Sequence, residues 1–331
     1  RSDTAPRLSG NGMMRRHAGA WLVSFMTLNA TLACMDAEQS VPQSPAEGPT
    51  VTDNGNLDRR FYERNFVFAS VAADSVFIVP WLMQTVDHRD TVMREAQGWL
   101  ARGGVWDGFY DEQWTTGPTR APTRLVPHLG LQLFVRSDDV IDGILYEEGS
   151  RSLELVLGDA NPPWTGARGD TYQVLSGSAY LLDQRIDGMI LDMARASAGP
   201  LPPSGDWAFL LSGDSAHFVL AGDSEYGGDI PPLYRAWGVQ EDDRMQWPEV
   251  HVDWERTEAF PPARRDVPVE WHVWSPDGSI EGRLEAISAK MQPGEGAGPL
   301  LPVRALFEVI GDVAVGEDTF GVRGLLVHER R

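Results

Sequence analysis

Beyond residue 60 the apolar positions recur with a period near two. Leu129-Gly130-Leu131-Gln132-Leu133-Phe134-Val135 alternates, breaks at Ser137-Asp138-Asp139 and resumes from Ile141 to Tyr146. Ser152-Leu153-Glu154-Leu155-Val156-Leu157 alternates again. Successive side chains of a strand point to opposite faces, so this pattern predicts strands. Short apolar runs join them: Phe66 to Val71 and Ser75 to Val79, Trp207 to Leu211, His217 to Leu220, Val250 to Trp254, and Val267 to Trp274. Gly282 to Ile287, Ala305 to Val309 and Val322 to Val327 complete the set. Asp-Gly, Gly-Asp, Gly-Gly and Pro-rich turns separate many of them at hairpin spacing. The segment Thr91 to Arg102 also fits one helix, although Gly98 and the Gly103-Gly104 turn allow a hairpin. Many short strands with regular turns predict barrels or sandwiches.

An internal repeat is visible. Asp183-Gln184-Arg185-Ile186-Asp187-Gly188-Met189-Ile190-Leu191-Asp192 and Asp318-Thr319-Phe320-Gly321-Val322-Arg323-Gly324-Leu325-Leu326-Val327-His328 each follow an apolar strand and a turn. Each then enters a strand of Gly followed by apolar residues. Between them Ser197-Ala198-Gly199-Pro200-Leu201-Pro202-Pro203-Ser204 reads as a linker, which divides the body into β domains at 60–196 and 205–331. The final strand, Val322-Arg323-Gly324-Leu325-Leu326-Val327-His328-Glu329, together with the tandem organisation, resembles the two-domain lipocalin-like proteins that include carotenoid hydratases. That resemblance implies two calycin-like antiparallel barrels in tandem, handling apolar ligands, some with hydratase or cyclase activity. It carries over no catalytic residue.

The N-terminus has a different character. Arg15-Arg16-His17 precede an apolar run from Ala18 to Ala33, about sixteen residues, too short to span a bilayer but suited to a signal peptide. Residues 13–33 are therefore expected to be removed, with 1–12 an upstream extension. Ala30-Thr31-Leu32-Ala33-Cys34 resembles the lipobox of bacterial lipoproteins, with Thr31 in place of the usual Leu. Lipidation of Cys34 is the expectation, and cleavage after Ala33 or Ala37 with a free thiol is the alternative. Met35 is not the Asp that retains lipoproteins in the inner membrane, which favours an outer-membrane anchor. Residues 34–59, rich in Pro, Ser, Gly and acids, read as a flexible tether.

Composition narrows the partners. The 331 residues hold 28 Lys+Arg against 48 Asp+Glu, and loss of the basic leader makes the body more acidic still. A phosphate backbone would be repelled by such a surface, so nucleic acid is excluded. One Cys excludes a disulfide framework and thiol chemistry beyond Cys34.

Candidate chemistry is sparse. Of twelve Trp, those at 99, 114, 237 and 274 (Trp99, Trp114, Trp237 and Trp274) are candidates to line a ligand cavity, since indole joins a broad apolar face to an N–H donor. The alternative is that Trp fills the core, as the strand phase suggests for Trp254 and Trp271. On Glu249 to Glu255, His251 and Asp253 share a face, as do Glu270 and His272 on the next run. Paired in the right register, His251, Asp253, Glu270 and His272 could bind a divalent ion or move protons. Otherwise they form a solvated outer face. No other cofactor is expected. Gly222-Asp223-Ser224 looks like the start of a Ser-esterase family, but no late Asp-x-x-His follows. Gly-x-Ser-x-Gly, phosphate-loop and His-Glu-x-x-His motifs are absent.

These readings lead to an envelope-anchored protein holding an apolar or amphipathic small molecule in one barrel or between two. A hydratase, isomerase or cyclase working by general acid–base chemistry is the rival, and a structural envelope lipoprotein the third class.

Overall fold

A strand that is apolar at every position has two faces to bury, and in this protein such strands lie where two sheets meet. A computed structural model describes residues 59–72, 75–138, 140–182, 184–199, 201–213, 216–224 and 232–331. The leader-like segment 13–33, Cys34 and all of the tether but Arg59 lie outside the described residues.

The first sheet contains β1 (Arg59–Ala72), β2 (Ser75–His88), β3 (Thr91–Arg102), β4 (Val105–Thr116), β5 (Leu131–Val135), β6 (Ile141–Glu148), β7 (Arg151–Ala160), β8 (Trp164–Thr165), β9 (Thr171–Leu181) and β10 (Gln184–Ala198). The second contains β11 (Trp207–Ser212), β12 (Ala216–Gly222), β13 (Tyr234–Gln240), β14 (Asp243–Phe260), β15 (Arg265–Trp274), β16 (Ile280–Pro293), β17 (Val303–Val315) and β18 (Asp318–Arg330). Thr91 to Arg102 is a strand, hairpinned to β4 through Gly103 and Gly104, both at positive φ. One 3₁₀ turn, Pro261–Ala263, is the only helical element among the described residues.

The tandem lipocalin-like architecture is present, with its two units closed to different degrees. β11 to β18 form a closed antiparallel barrel. The first sheet runs β4-β3-β2-β1-β10-β9-β7-β6-β5 as an open half-barrel. Residues 117–130 connect its two edge strands and contain Pro118, Pro122 and Pro127. Proline lacks the N–H that a ladder needs, so this segment cannot close the gap as a strand. A side-chain bond crosses it instead: the Tyr110 hydroxyl donates to the carbonyl of His128 at 2.6 Å.

Burial explains the two sequence patterns. On β1, Phe66 and Phe68 point into the half-barrel while Val67 and Ala69 join the seam between the sheets. On β11, Ala208 and Leu210 enter the barrel while Trp207, Phe209 and Leu211 join the seam. Buried on both sides, these strands read as unbroken apolar runs. β16 has one face in water, and there Ile280, Gly282 and Leu284 are buried while Glu281, Arg283 and Glu285 are exposed.

The repeat has a topological meaning. β10 pairs with β1 and β9, and β18 pairs with β11 and β17, so each repeat strand joins the first strand of its sheet to the last-but-one. Ser197 and Ala198, assigned to the linker on composition, continue β10 opposite Phe61 and Arg60.

A polar cluster also ties the sheets together. Arg195 donates to Glu63 at 2.7 Å and to the carbonyl of Gly205, and lies 3.9 Å from Glu329. Arg304 donates to Glu329 at 2.8 Å and approaches Glu95 at 3.9 Å. Burial opposes ionisation of Glu329, but Arg304 and Arg195 outweigh it and hold the carboxyl below its ordinary range.

Candidate functional site

The strand phase of β18 sends Val322, Leu326 and His328 to the barrel interior and Leu325 and Val327 to the seam. His328 has no solvent exposure. Its Nδ1 lies 3.0 Å from both carboxylate oxygens of Asp206, and the edge of Trp254 packs against its ring at 5.3 Å. Asp206 is fixed on several sides. Its Oδ1 accepts the Glu329 N–H at 3.1 Å, its carbonyl accepts the Gly222 N–H at 2.7 Å, and the Tyr234 hydroxyl lies 3.4 Å from Oδ2. The preceding Gly205 has φ +111°, and a Cβ there would sit 2.6 Å from the Gly222 carbonyl oxygen, so only glycine makes this approach.

A carboxylate on Nδ1 fixes the Nδ1–H tautomer and leaves Nε2 as the reactive position. Among the described residues Nε2 of His328 has no hydrogen-bond partner. The pair therefore has the parts of an acid–base centre: an oriented imidazole, an anion behind it and an unused ring nitrogen in an apolar interior.

A second buried imidazole lies at the seam. His217, on the outward face of β12, is 7% exposed and lines a cleft of about 330 Å³ between the two sheets. Ser70 and Val71 of β1, Met189 of β10 and Val239 of β13 contribute to the walls, with Asp187 and Glu241 among the lining residues. Trp164 meets the His217 ring edge-on at 6.2 Å, and Arg244 lies over Trp164 at 4.6 Å. Burial first, and then Arg244, push the His217 pKa down to about 4, so the ring is neutral at pH 7. Its Nε2 also lacks a partner among the described residues. Val71 and Gly213 continue into a wider groove of about 810 Å³, where Glu255, Glu270, Glu285 and Asp312 outnumber Arg283 and Arg323.

No family model matches the chain, and no curated protein matches it. Solved structures do. A protein of Nitrosomonas europaea provisionally named AttH is 14% identical, with a TM-score of 0.56 over 88% of this chain and 99% of its own. Kievitone hydratase from Nectria haematococca is 12% identical, with a TM-score of 0.49 over 83% of this chain and 89% of its own. The fold is lipocalin-like. At such identities the likeness speaks for the fold alone.

The residues singled out in the sequence are dispersed. β14 and β15 do pair, with Asp253 opposite His272, on the outer wall of the barrel. Each group there has its own neighbour. The Trp274 indole donates to Asp253 at 2.8 Å, His272 contacts Glu281 at 3.1 Å, and Glu270 binds Arg256. His251 lies 3.5 Å from Glu249 and stacks on Trp274 at 4.5 Å. A bulge at Glu255 breaks the register, bringing Arg256 rather than Glu255 opposite Glu270. Thus the structure does not bring His251, Asp253, Glu270 and His272 to one point. No group of three or more His, Cys, Asp and Glu among the described residues could hold a metal ion.

The four tryptophans divide likewise. Trp237 is a seam residue, stacked on Tyr172 at 4.8 Å. Trp99 is also in the seam, beneath the Lys290 ammonium at 4.7 Å. Trp274 is on the outer wall. Trp114 stacks on His128 at 4.7 Å beside the half-barrel core.

Sequence reasoning assigned no role to His328, Asp206 or His217. His328 had a usable signal, since it falls in phase with the inward residues of the terminal strand. Asp206, at the end of a Pro-rich stretch, had none.

Proposed function

We propose that this chain binds an apolar or amphipathic small molecule in the cleft between the half-barrel and the barrel. The observation that carries this reading is His217, a buried neutral imidazole with an unpartnered nitrogen on a cleft walled by apolar side chains from both sheets. A neutral ring offers a hydrogen bond without demanding a counter-charge, and the apolar walls supply affinity through buried area. Asp187 and Glu241 disfavour an anion, so the ligand is uncharged or weakly cationic. Native mass spectrometry of the protein purified from its producing cells, compared with Met189→Trp, is the test. An adduct lost in the folded variant supports the reading, whereas an adduct retained there or none at all removes it.

A second reading, hydratase-, isomerase- or cyclase-type catalysis, is favoured by the Asp206–His328 pair. His328 would deliver or accept a proton at Nε2 while Asp206 orients the ring. The setting proposed for either reading is the outer envelope, with a lipid on Cys34 and residues 34–59 as tether.

A further inference from the structure

Glu270 and Glu285 stand directly opposite each other on β15 and β16. Like charges so placed repel each other and destabilise a sheet. Among the described residues one cation serves both. Arg256 donates to Glu270, to Glu258 at 2.6 Å and to Glu285 at 3.4 Å, so a single guanidinium is divided among three carboxylates. Glu270 and Glu285 line the groove of about 810 Å³, together with Glu255, Asp312, Arg283 and Arg323. Arg283 answers Glu255 at 3.6 Å, and Asp312 and Arg323 offset each other in number. With Arg256 and Glu258 beside it, the groove gathers five carboxylates and three guanidiniums among the described residues, an excess of two negative charges.

The groove opens into the seam cleft, since Val71 and Gly213 line both. His217 lies close to that junction. It pairs with Leu211, two residues before Gly213, so roughly 7 Å of strand separates the two levels. The cleft itself is near neutral. Its carboxylates Asp187 and Glu241 are offset in number by Arg185, bound to Asp187 at 2.8 Å, and by Arg244, whose charge reaches His217. One continuous space therefore has an unpartnered, buried ring nitrogen at its inner end, apolar walls at Val71, Met189 and Leu211, and a negative outer end.

We propose that the ligand of the seam cleft is an elongated cationic amphiphile of the amino-alcohol kind. Its hydroxyl meets Nε2 of His217, its apolar chain runs past Leu211 and Val71, and its ammonium group settles between Glu270 and Glu285. This inference rests on the reading of the cleft as a ligand site. An ammonium carries three donors and no acceptor, so it suits two facing carboxylates and relieves the repulsion that Arg256 only partly offsets. A hydroxyl completes the imidazole without adding charge to an apolar interior. The outer end is open to water, so its contribution is modest and weakens with salt.

Isothermal titration of the full chain at pH 7 and low salt, with 8-amino-1-octanol, 1,8-octanediol and 8-hydroxyoctanoate, tests the assignment. The three share a hydroxyl and a chain and differ only in the charge of the other end. The amine is expected to bind one per chain, roughly fivefold more tightly than the diol, with the carboxylate weakest. Glu270→Gln combined with Glu285→Gln should remove the preference for the amine and leave the affinity for the diol unchanged. His217→Phe should weaken amine and diol alike, and Met189→Trp, which fills the cleft, should abolish both. If the diol binds and the amine binds no more tightly, the proposal is overturned while the reading of the cleft stands. It is equally overturned if the folded double variant keeps the preference, or if folded His217→Phe binds both as the wild type does. If none of the three binds, or if folded Met189→Trp binds them unchanged, the reading of the cleft falls and this proposal with it. Should the double variant fail to fold, the order of the three ligands on the wild type decides the matter.

Discussion

Asp206 and His328 stand 122 positions apart and meet with Nδ1 of the imidazole 3.0 Å from both carboxylate oxygens. One residue precedes the first strand of the barrel and the other lies in the last. Through its carbonyl on Gly222 and its carboxylate on Glu329, Asp206 also holds β12 and β18, the two neighbours of β11. The contact thus fastens the barrel where it closes and orients a buried imidazole at the same point.

Asp206→Asn should weaken both roles. Replacing a charge-assisted acceptor by an amide is expected to cost about 2 kcal/mol of stability. Urea denaturation measures the loss, and ¹⁵N shifts of the His328 ring should show a fixed Nδ1–H tautomer in the wild type that the variant loses. A mixed tautomer in the wild type would contradict the assignment of Nε2 as the free position.

His217 makes stability depend on pH in a defined direction. Its folded pKa of about 4 lies below the ordinary histidine value of 6.5. Between these values the unfolded chain binds more protons, so stability falls as pH is lowered through that window. The contribution is at most about 3 kcal/mol, at 1.36 kcal/mol per pKa unit. His217→Gln should flatten the stability profile between about pH 4 and 6.5, and an unchanged slope would contradict burial of a neutral ring.

The tryptophans should separate by location and not by residue type. Trp237→Ala, in the seam, is expected to cost about 3–5 kcal/mol by lost burial and the cavity left behind. Trp274→Ala, on the outer wall, should cost under about 1 kcal/mol. Denaturant midpoints of the two variants decide it.

The buried cluster between the sheets should resist half-removal more than full replacement. Glu63→Gln leaves the Arg195 guanidinium short of its nearest anion and should cost about 3–5 kcal/mol, whereas Glu63→Leu with Arg195→Met should cost less. In the intact cluster Glu329 has a depressed pKa, so its contribution is present above the ordinary carboxylate range. It is lost only as pH falls through the lower folded value. Acid titration of unfolding in wild type and Glu329→Gln tests that sign.

Lipidation of Cys34 predicts a mature N-terminus at Cys34 carrying acyl mass, and recovery in the membrane fraction. Cys34→Ser should release the protein from that fraction. An unmodified wild-type chain beginning at Cys34, or at Glu38 after cleavage behind Ala37, would instead indicate ordinary signal cleavage.

Sequence and structure agree most closely where a rule is local. The alternation on β16, the Gly103-Gly104 hairpin and the unbroken runs on β1 and β11 each report the number of faces that a strand buries. That property acts over a few residues and is therefore written in the order of side chains. The paired histidines and carboxylates of β14 and β15 were also legible as sharing an outer face. Whether they converge depended on a one-residue bulge at Glu255 and on neighbours such as Trp274 and Glu281, which no period reveals.

By itself the sequence determined the strand content, the tandem repeat and the acidic surface, because hydrophobic period, turn chemistry and charge count are properties of neighbouring residues. Tertiary structure alone decided that one unit closes and the other stays open, and that Asp206 meets His328. Each of these is a pairing between groups distant in the chain. Such pairings follow from how two sheets curve and pack against each other, which the local pattern leaves undetermined.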